Sequence, residues 1–211
     1  MNRDAAGRLA PTRRRSRRAI PLAVPEGVRL RTSASDFWEL CRSNPDLRLE
    51  RSARGVVEIM SPAGGNAGIR NALLTSRLVV WALDDGSGRP FDSSAGFTLP
   101  NGSVHAPDAS WIESRRWNAL PTEQKERFAP ICPDFAAEIR SRSDRLPKLR
   151  EKMVEYIAQG VRLGWLIDPK SGAVEISRPG RPPEVLKRPA SLDGENVLPG
   201  FVLDLKGILF D

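Results

Sequence analysis

Residues 135–167 read FAAEIRSRSDRLPKLREKMVEYIAQGVRLGWLI, and this stretch decides the fold class of the chain. The apolar runs at 135–139 and 163–167 have the length and composition of short strands. Between them, residues 146–159 repeat apolar side chains at helical spacing, and Gly160 stands where glycine commonly follows a helix. A strand, a helix and a second strand in succession predict a mixed α/β domain.

The rest of the chain extends this α/β pattern towards both termini. Asn101-Gly102 joins the strand-like runs 91–99 and 104–112, and this dipeptide is the strongest hairpin signal in the sequence. Further strands are predicted at 47–50, 56–60 and 173–177, and helices at 35–41 and 66–83. The predicted apolar face of the longer helix consists of Ile69, Leu73, Val80 and Leu83, widened by Leu74, Leu78 and Trp81.

The excess positive charge is confined to the start of the chain. Residues 1–31 hold nine arginines against Asp4 and Glu26, whereas residues 32–211 hold 24 basic and 24 acidic side chains. We therefore expect a disordered, Arg-rich tail over 1–31 and one folded domain over 32–211. The tail could contribute salt-sensitive affinity for nucleic acid, or it could be a solvated and dispensable extension.

Composition excludes several classes of protein. No run approaches the roughly 18 apolar residues of a membrane span, and residues 19–25 are too short and too rich in proline for a secretory signal. Cys41, Cys132 and His105 are too few for a disulfide framework or a Cys/His zinc site. We expect a cytoplasmic protein whose hydrolytic chemistry would rest on carboxylates and lysine.

Two carboxylates stand on consecutive predicted strands. Asp108 follows Pro107, and Glu138 lies among apolar neighbours, where an ionised group is costly without a positive partner. A hard cation such as Mg²⁺ is one such partner, because it prefers oxygen ligands. The alternative is that both acids form surface salt bridges at strand ends. Strand alternation predicts that His105 faces away from Asp108 and lies at the surface.

The helix that follows Glu138 carries a lysine at the edge of its apolar stripe. At about 100° per residue, Lys152 lies beside Tyr156, just outside the stripe. Its long stem could cross this rim and deliver the ammonium group towards the sheet. Taken alone, a lysine on an amphipathic helix is more often solvated.

The order and spacing of these motifs resemble the Uma2 family of restriction-endonuclease-like proteins in the PD-(D/E)XK nuclease superfamily. The resemblance covers about three quarters of the chain. The matching segments are Met60-Ser61-Pro62, 91–102, 107–111, 132–135, Glu138, Lys152-Met153, Tyr156, Gly160, 163–169 and 197–201.

The resemblance implies a restriction-endonuclease-like mixed sheet flanked by helices, a homodimer, and Mg²⁺- or Mn²⁺-dependent cleavage of nucleic acid, with DNA as the expected substrate. It implies that Asp108 and Glu138 are the metal-binding acids and that Lys152 is the catalytic lysine. Arg140 stands where the superfamily lysine is usual and is expected to stabilise phosphate charge. Glu50 matches an acidic position that is expected to assist the metal.

Three positions depart from the family pattern. Arg140 cannot serve as a base because guanidinium stays protonated. Asn66 stands where relatives often carry an acid, and Arg142 stands where proline is common. These departures leave open an alternative function: a catalytically degenerate nuclease fold that binds nucleic acid or a protein partner without cleaving.

Overall fold

The computed structural model of the chain describes residues 29–60 and 62–210. The predicted tail therefore lies outside the described residues up to position 28. At residues 30–32 the backbone already joins the fold, because the Val57 amide donates to the Leu30 carbonyl and the Thr32 amide donates to the Gly55 carbonyl. In the described part of the chain, no helix is long and apolar enough to cross a membrane.

Helices and strands are mixed along the described part of the chain, as the α/β prediction requires. In order, the elements are α1 (Ala34–Ser43), β1 (Arg48–Arg51), β2 (Val57–Met60), α2 (Gly65–Asp85), β3 (Gly88–Asp92), β4 (Phe97–Thr98), β5 (Val104–His105), β6 (Ala109–Glu113), α3 (Ser114–Asn118), α4 (Thr122–Lys125), β7 (Phe135–Ile139), α5 (Leu146–Gln159), β8 (Leu163–Asp168), β9 (Ala173–Arg178), β10 (Arg181–Lys187), β11 (Ser191–Asp193) and β12 (Val202–Asp204).

A six-stranded mixed sheet forms the centre of the molecule, in the order β10-β9-β8-β7-β6-β3. β7 and β8 are parallel and are connected by α5, whereas the other neighbours in this sheet are antiparallel. Alternate residues of β7 point to opposite faces. Phe135, Ala137 and Ile139 pack with α2, whereas Ala136 packs with α5. The predicted mixed sheet flanked by helices is confirmed.

A second sheet of four short strands, in the order β2-β1-β5-β4, lies beside the first. The Asn101-Gly102 turn joins β4 and β5 as predicted, and Gly102 adopts a φ of 82° that favours glycine. The single strand predicted over 104–112 is wrong, because the chain leaves the small sheet after His105 and enters the central sheet at Ala109.

The predicted apolar face of α2 is confirmed at Leu74 and Leu78 and wrong for most of its first four residues. Leu74, Leu78 and Ala82 are buried against the central sheet. Three of the four residues predicted at the centre of the face are exposed: Ile69 by 60%, Val80 by 61% and Leu83 by 74%. Apolar side chains surround most of this helix, so helical spacing alone does not determine which stripe meets the sheet.

Candidate active site

Asp108 and Glu138 lie at adjoining ends of two neighbouring strands. β6 and β7 pair with Ala109 opposite Ala137, so the residues just beyond that pair stand side by side. The Ile139 amide donates to Asp108 Oδ2 over 2.9 Å, which holds the aspartate against the end of β7. Glu138 is buried and pairs with the buried Lys152, so it forms no surface salt bridge. Asp108 is 18% exposed and lies 3.8 Å from the guanidinium of the half-exposed Arg48, so the alternative of a strand-end salt bridge holds in part for Asp108.

Lys152 reaches from α5 to the sheet, as its position at the edge of the helix stripe allowed. Its Nζ lies 2.8 Å from Glu138 Oε1 and 2.9 Å from Glu50 Oε1, and the side chain is only 12% exposed. One turn further along α5, the Tyr156 hydroxyl donates to Glu138 Oε1 over 2.9 Å. The solvated alternative for Lys152 is therefore wrong.

Glu50 contacts three donors of this chain. Oε1 accepts from Lys152 and from the Ala106 amide, at 2.9 and 3.1 Å, and Oε2 lies 3.0 Å from His105 Nδ1. Both oxygens are thus engaged within the protein. Glu50 therefore links Lys152 and His105.

His105 is buried, and the prediction that it lies at the surface is wrong. Its Nε2 lies 3.2 Å from Glu155 Oε2, and its ring meets the Tyr156 ring edge-on, with centroids 5.6 Å apart. The prediction assumed that one strand carries both His105 and Asp108. Because the chain changes sheets between them, strand alternation does not relate their directions.

Arg140 is directed to the end of β8. Its Nη1 lies 2.9 Å from Asp168 Oδ2, and its Nε donates to the Asp144 carbonyl over 3.4 Å. Asp168 is also a turn residue, since it accepts from the Lys170 amide over 3.0 Å. The guanidinium thus ties the ends of β7 and β8 together beside Glu138.

Burial and neighbouring charges shift the pKa values of these groups in opposite directions. Burial, with like charges on Asp108 and Glu50, outweighs Lys152 and raises the pKa of Glu138 to about 7. Burial also raises the pKa of Asp108. Burial alone would lower the pKa of Lys152, but Glu138 and Glu50 raise it above its ordinary value.

His105 and Glu50 stabilise each other in their charged forms. Burial disfavours both ions, but Glu155 and Glu50 raise the pKa of His105 to about 9. Lys152 and His105 in turn hold the pKa of Glu50 well below its usual range, despite its burial. The protonated Lys152 and His105, together with the carboxylates that pair with them, therefore form a buried charged cluster next to Glu138.

Asp108 and Glu138 have the donor chemistry of a site for a hard divalent cation. The charge on Asp108 helps to raise the pKa of Glu138, and a shared cation would relieve this repulsion. Over residues 29–60 and 62–210, no three His, Cys, Asp or Glu side chains form a metal-binding group. The pair suits Mg²⁺, which commonly takes one or two carboxylates and completes its shell with water and phosphate oxygens.

Known proteins share this fold and this sequence pattern. The chain is 21% identical to a crystal structure described as "a putative nuclease belonging to DUF820 from Anabaena variabilis ATCC 29413". The match covers 84% of this chain and 97% of that one, with a TM-score of 0.70, and shows a common fold.

A second solved structure, a "DrdV-DNA complex", is 16% identical over 57% of this chain and 10% of the other. Its TM-score of 0.37 is too low to support a shared fold. No curated protein matches the chain. The model of the Uma2 family, described as "Putative restriction endonuclease", matches residues 34–206 and supports a nuclease. The chain belongs to the Uma2 family.

Proposed function

We propose that the protein is a metal-dependent endonuclease that hydrolyses phosphodiester bonds of nucleic acid, with DNA as its substrate. One observation carries the proposal. Lys152 Nζ lies 2.8 Å from Glu138, and Asp108 stands beside Glu138 at the start of the neighbouring strand β6. Two acids and a lysine in one partly enclosed cluster are a suitable set for phosphoryl chemistry. The family match supports the same class of reaction.

Asp108 and Glu138 would hold Mg²⁺ or Mn²⁺. When bound, such an ion polarises the scissile phosphate and makes a coordinated water more acidic. Glu138 has to be ionised to serve as a ligand, and its pKa of about 7 sets the pH at which this occurs. The Ile139 amide holds Asp108 in place for the same task.

Lys152 acts as a fixed cation. Its raised pKa keeps the ammonium protonated at neutral pH, so it donates hydrogen bonds and does not abstract a proton. A preorganised positive charge beside the phosphate stabilises the negative charge that develops in the transition state. Glu50 supports this role by contacting the ammonium group, and His105 in turn contacts Glu50.

Arg140 is a positioning residue in this proposal. Its guanidinium is engaged by Asp168 and by the Asp144 carbonyl, which fixes the end of the strand that carries Glu138. The arginines of the predicted tail would add sequence-independent affinity for nucleic acid, since the remaining chain has no net charge.

A cleavage assay tests the proposal. Supercoiled plasmid and single-stranded RNA are incubated with the protein in EDTA, in Mg²⁺ and in Mn²⁺. We expect metal-dependent cleavage of DNA that falls at least about 100-fold in Glu138→Gln. Glu58→Gln, which removes an acid paired with exposed Lys148, is the matched control and should retain activity.

Two outcomes would overturn the proposal. Full activity in a folded Glu138→Gln variant would remove the carboxylate site from the reaction. Binding of DNA without cleavage in either metal would instead support the degenerate, binding-only fold. Thermal unfolding of each variant in EDTA separates loss of the site from loss of the fold.

A further inference from the structure

One side of α2 faces solvent and carries no charge. At about 100° per residue, seven side chains occupy an arc of about 120° on this side. We call them the outer face of α2: Ile69, Ala72, Leu73, Ser76, Val79, Val80 and Leu83. The charged residues of the helix lie outside this arc, and the guanidinium of Arg77 is turned to the carbonyl groups of Asp204 and Lys206.

The outer face is apolar and exposed along its middle, whereas Leu73 and Val79 at its two edges are half-buried and Leu73 also packs against the core. Ile69, Val80 and Leu83 are each at least 60% exposed, and Ala72 and Ser76 are exposed between them. Leucine, isoleucine and valine side chains that recur on one helix stripe normally pack against another element. The Ser76 hydroxyl donates to the Leu73 carbonyl, so it would not be left without a partner if this face were covered.

Two copies of the outer face match each other when they run in opposite directions. Turned end for end about Ser76, the stripe brings Ile69 level with Leu83, Ala72 level with Val80, and Leu73 level with Val79. Small side chains at the centre allow two helices to approach closely there, and Ala72 leaves room for Val80. A two-fold axis requires this relationship, because the same surface must then meet itself.

The charges at the ends of α2 favour the same reversed arrangement. The last turn contains Asp84 and Asp85 and no basic residue, although the carboxyl end of a helix carries partial negative charge. The first turn contains no acidic residue, although partial positive charge would favour one. An antiparallel copy brings each acidic end beside an amino-terminal end, whereas a parallel copy would bring the four aspartates together.

We propose that the protein is a homodimer in which two copies of α2 pack antiparallel through their outer faces, with the two-fold axis at Ser76. This interface covers the side of α2 that faces away from the central sheet. The catalytic candidates lie on the opposite, α5 side of that sheet, so both copies keep them accessible. The proposal is independent of the nuclease activity, since its tests measure mass and proximity.

The mass of the full chain in solution is the first test. We expect a dimer by sedimentation equilibrium and an increase of about 100-fold or more in the dissociation constant for Leu83→Glu. Val185→Glu is the matched control, because Val185 is 54% exposed on β10, far from α2, and its variant should remain a dimer. Circular dichroism checks that both variants stay folded.

Disulfide trapping tests the direction of the helices, in a chain with Cys41→Ser to remove the partly exposed thiol. We expect Ser76→Cys to form a covalent dimer, and Ile69→Cys/Leu83→Cys to do so, while neither of that pair does so alone. A monomeric full chain would overturn the proposal and leave residues 1–28 or another protein as the occupant. A dimer that survives Leu83→Glu, or a covalent dimer from Ile69→Cys alone, would overturn it as well.

Discussion

Lys152 Nζ lies 2.8 Å from Glu138 Oε1, and this contact joins the helix that follows β7 to the strand itself. Both side chains are largely buried, and Glu50 contacts the same ammonium group from the small sheet. The pairing therefore links three parts of the fold at one point. It also keeps a positive charge beside the carboxylates that we propose as metal ligands.

Removing the lysine charge tests this arrangement. We expect Lys152→Met to abolish cleavage and to lower the free energy of unfolding by about 3–5 kcal/mol, because two buried carboxylates lose their cation. Lys148→Met is the control on the same helix. Its side chain is 62% exposed, so its removal should change stability by at most about 1 kcal/mol. Urea unfolding and the cleavage rate give the two readouts, and equal effects at both positions would contradict the account.

The pH dependence of activity should follow Glu138. At metal concentrations below saturation, we expect cleavage to rise as the pH increases through about 7, because only the ionised carboxylate binds the cation. Tyr156→Phe removes a donor that favours the charged form, so its profile should move to higher pH. A profile of the variant that moves to lower pH, or stays in place, would refute the role of this hydroxyl.

His105 should make stability depend on pH above neutrality. Its pKa is raised from 6.5 to about 9, so its contribution is complete below pH 6.5 and is lost as the pH rises through 9. The loss should be on the order of 3 kcal/mol. In His105→Gln the free energy of unfolding should not show this decline. Subtracting the variant's curve of unfolding free energy against pH from that of the wild type removes the titrations that both proteins share. Parallel curves between pH 6.5 and 9 would rule out a charged His105.

Arg140 and Asp168 should behave as one unit. We expect Arg140→Met alone to cost about 3 kcal/mol, because Asp168 is then left buried without its partner. In a double-mutant cycle with Asp168→Asn, the coupling energy should exceed about 1 kcal/mol. Additive effects would show that the contact contributes nothing. Retention of measurable cleavage in Arg140→Met would support a positioning role, since a residue that directly stabilises the transition state should be far less dispensable.

Local patterns were sufficient where local geometry determines the structure. β7, α5 and β8 follow from apolar runs and helical spacing. The position of Lys152 at the edge of the α5 stripe allowed it to reach the sheet, but taken alone it favoured a solvated side chain. Asp108 and Glu138 are neighbours because their strands are neighbours. Assigning all three residues to a nuclease site needed the family resemblance, since acids at strand ends are common.

Long-range partners decided what the sequence did not reveal. His105 meets Glu50 and Glu155, which lie 55 and 50 positions away, after the chain passes from one sheet to the other. The alternation of side chains within one strand cannot reveal that the chain passes from one sheet to another. On α2, the side that packs inward depends on its tertiary contacts with the sheet, and the helix is apolar on the outer side as well.

Calorimetric titration of Mg²⁺ and Mn²⁺ tests the central claim, that Asp108 and Glu138 form a metal site, most directly. The titration is made with a non-cleavable oligonucleotide present, so that phosphate oxygens can complete the site. For the wild-type protein we predict saturable binding that disappears in Asp108→Ala/Glu138→Ala while the variant still unfolds cooperatively. Absence of binding in the wild type, or binding of equal strength in the double variant, would contradict the account.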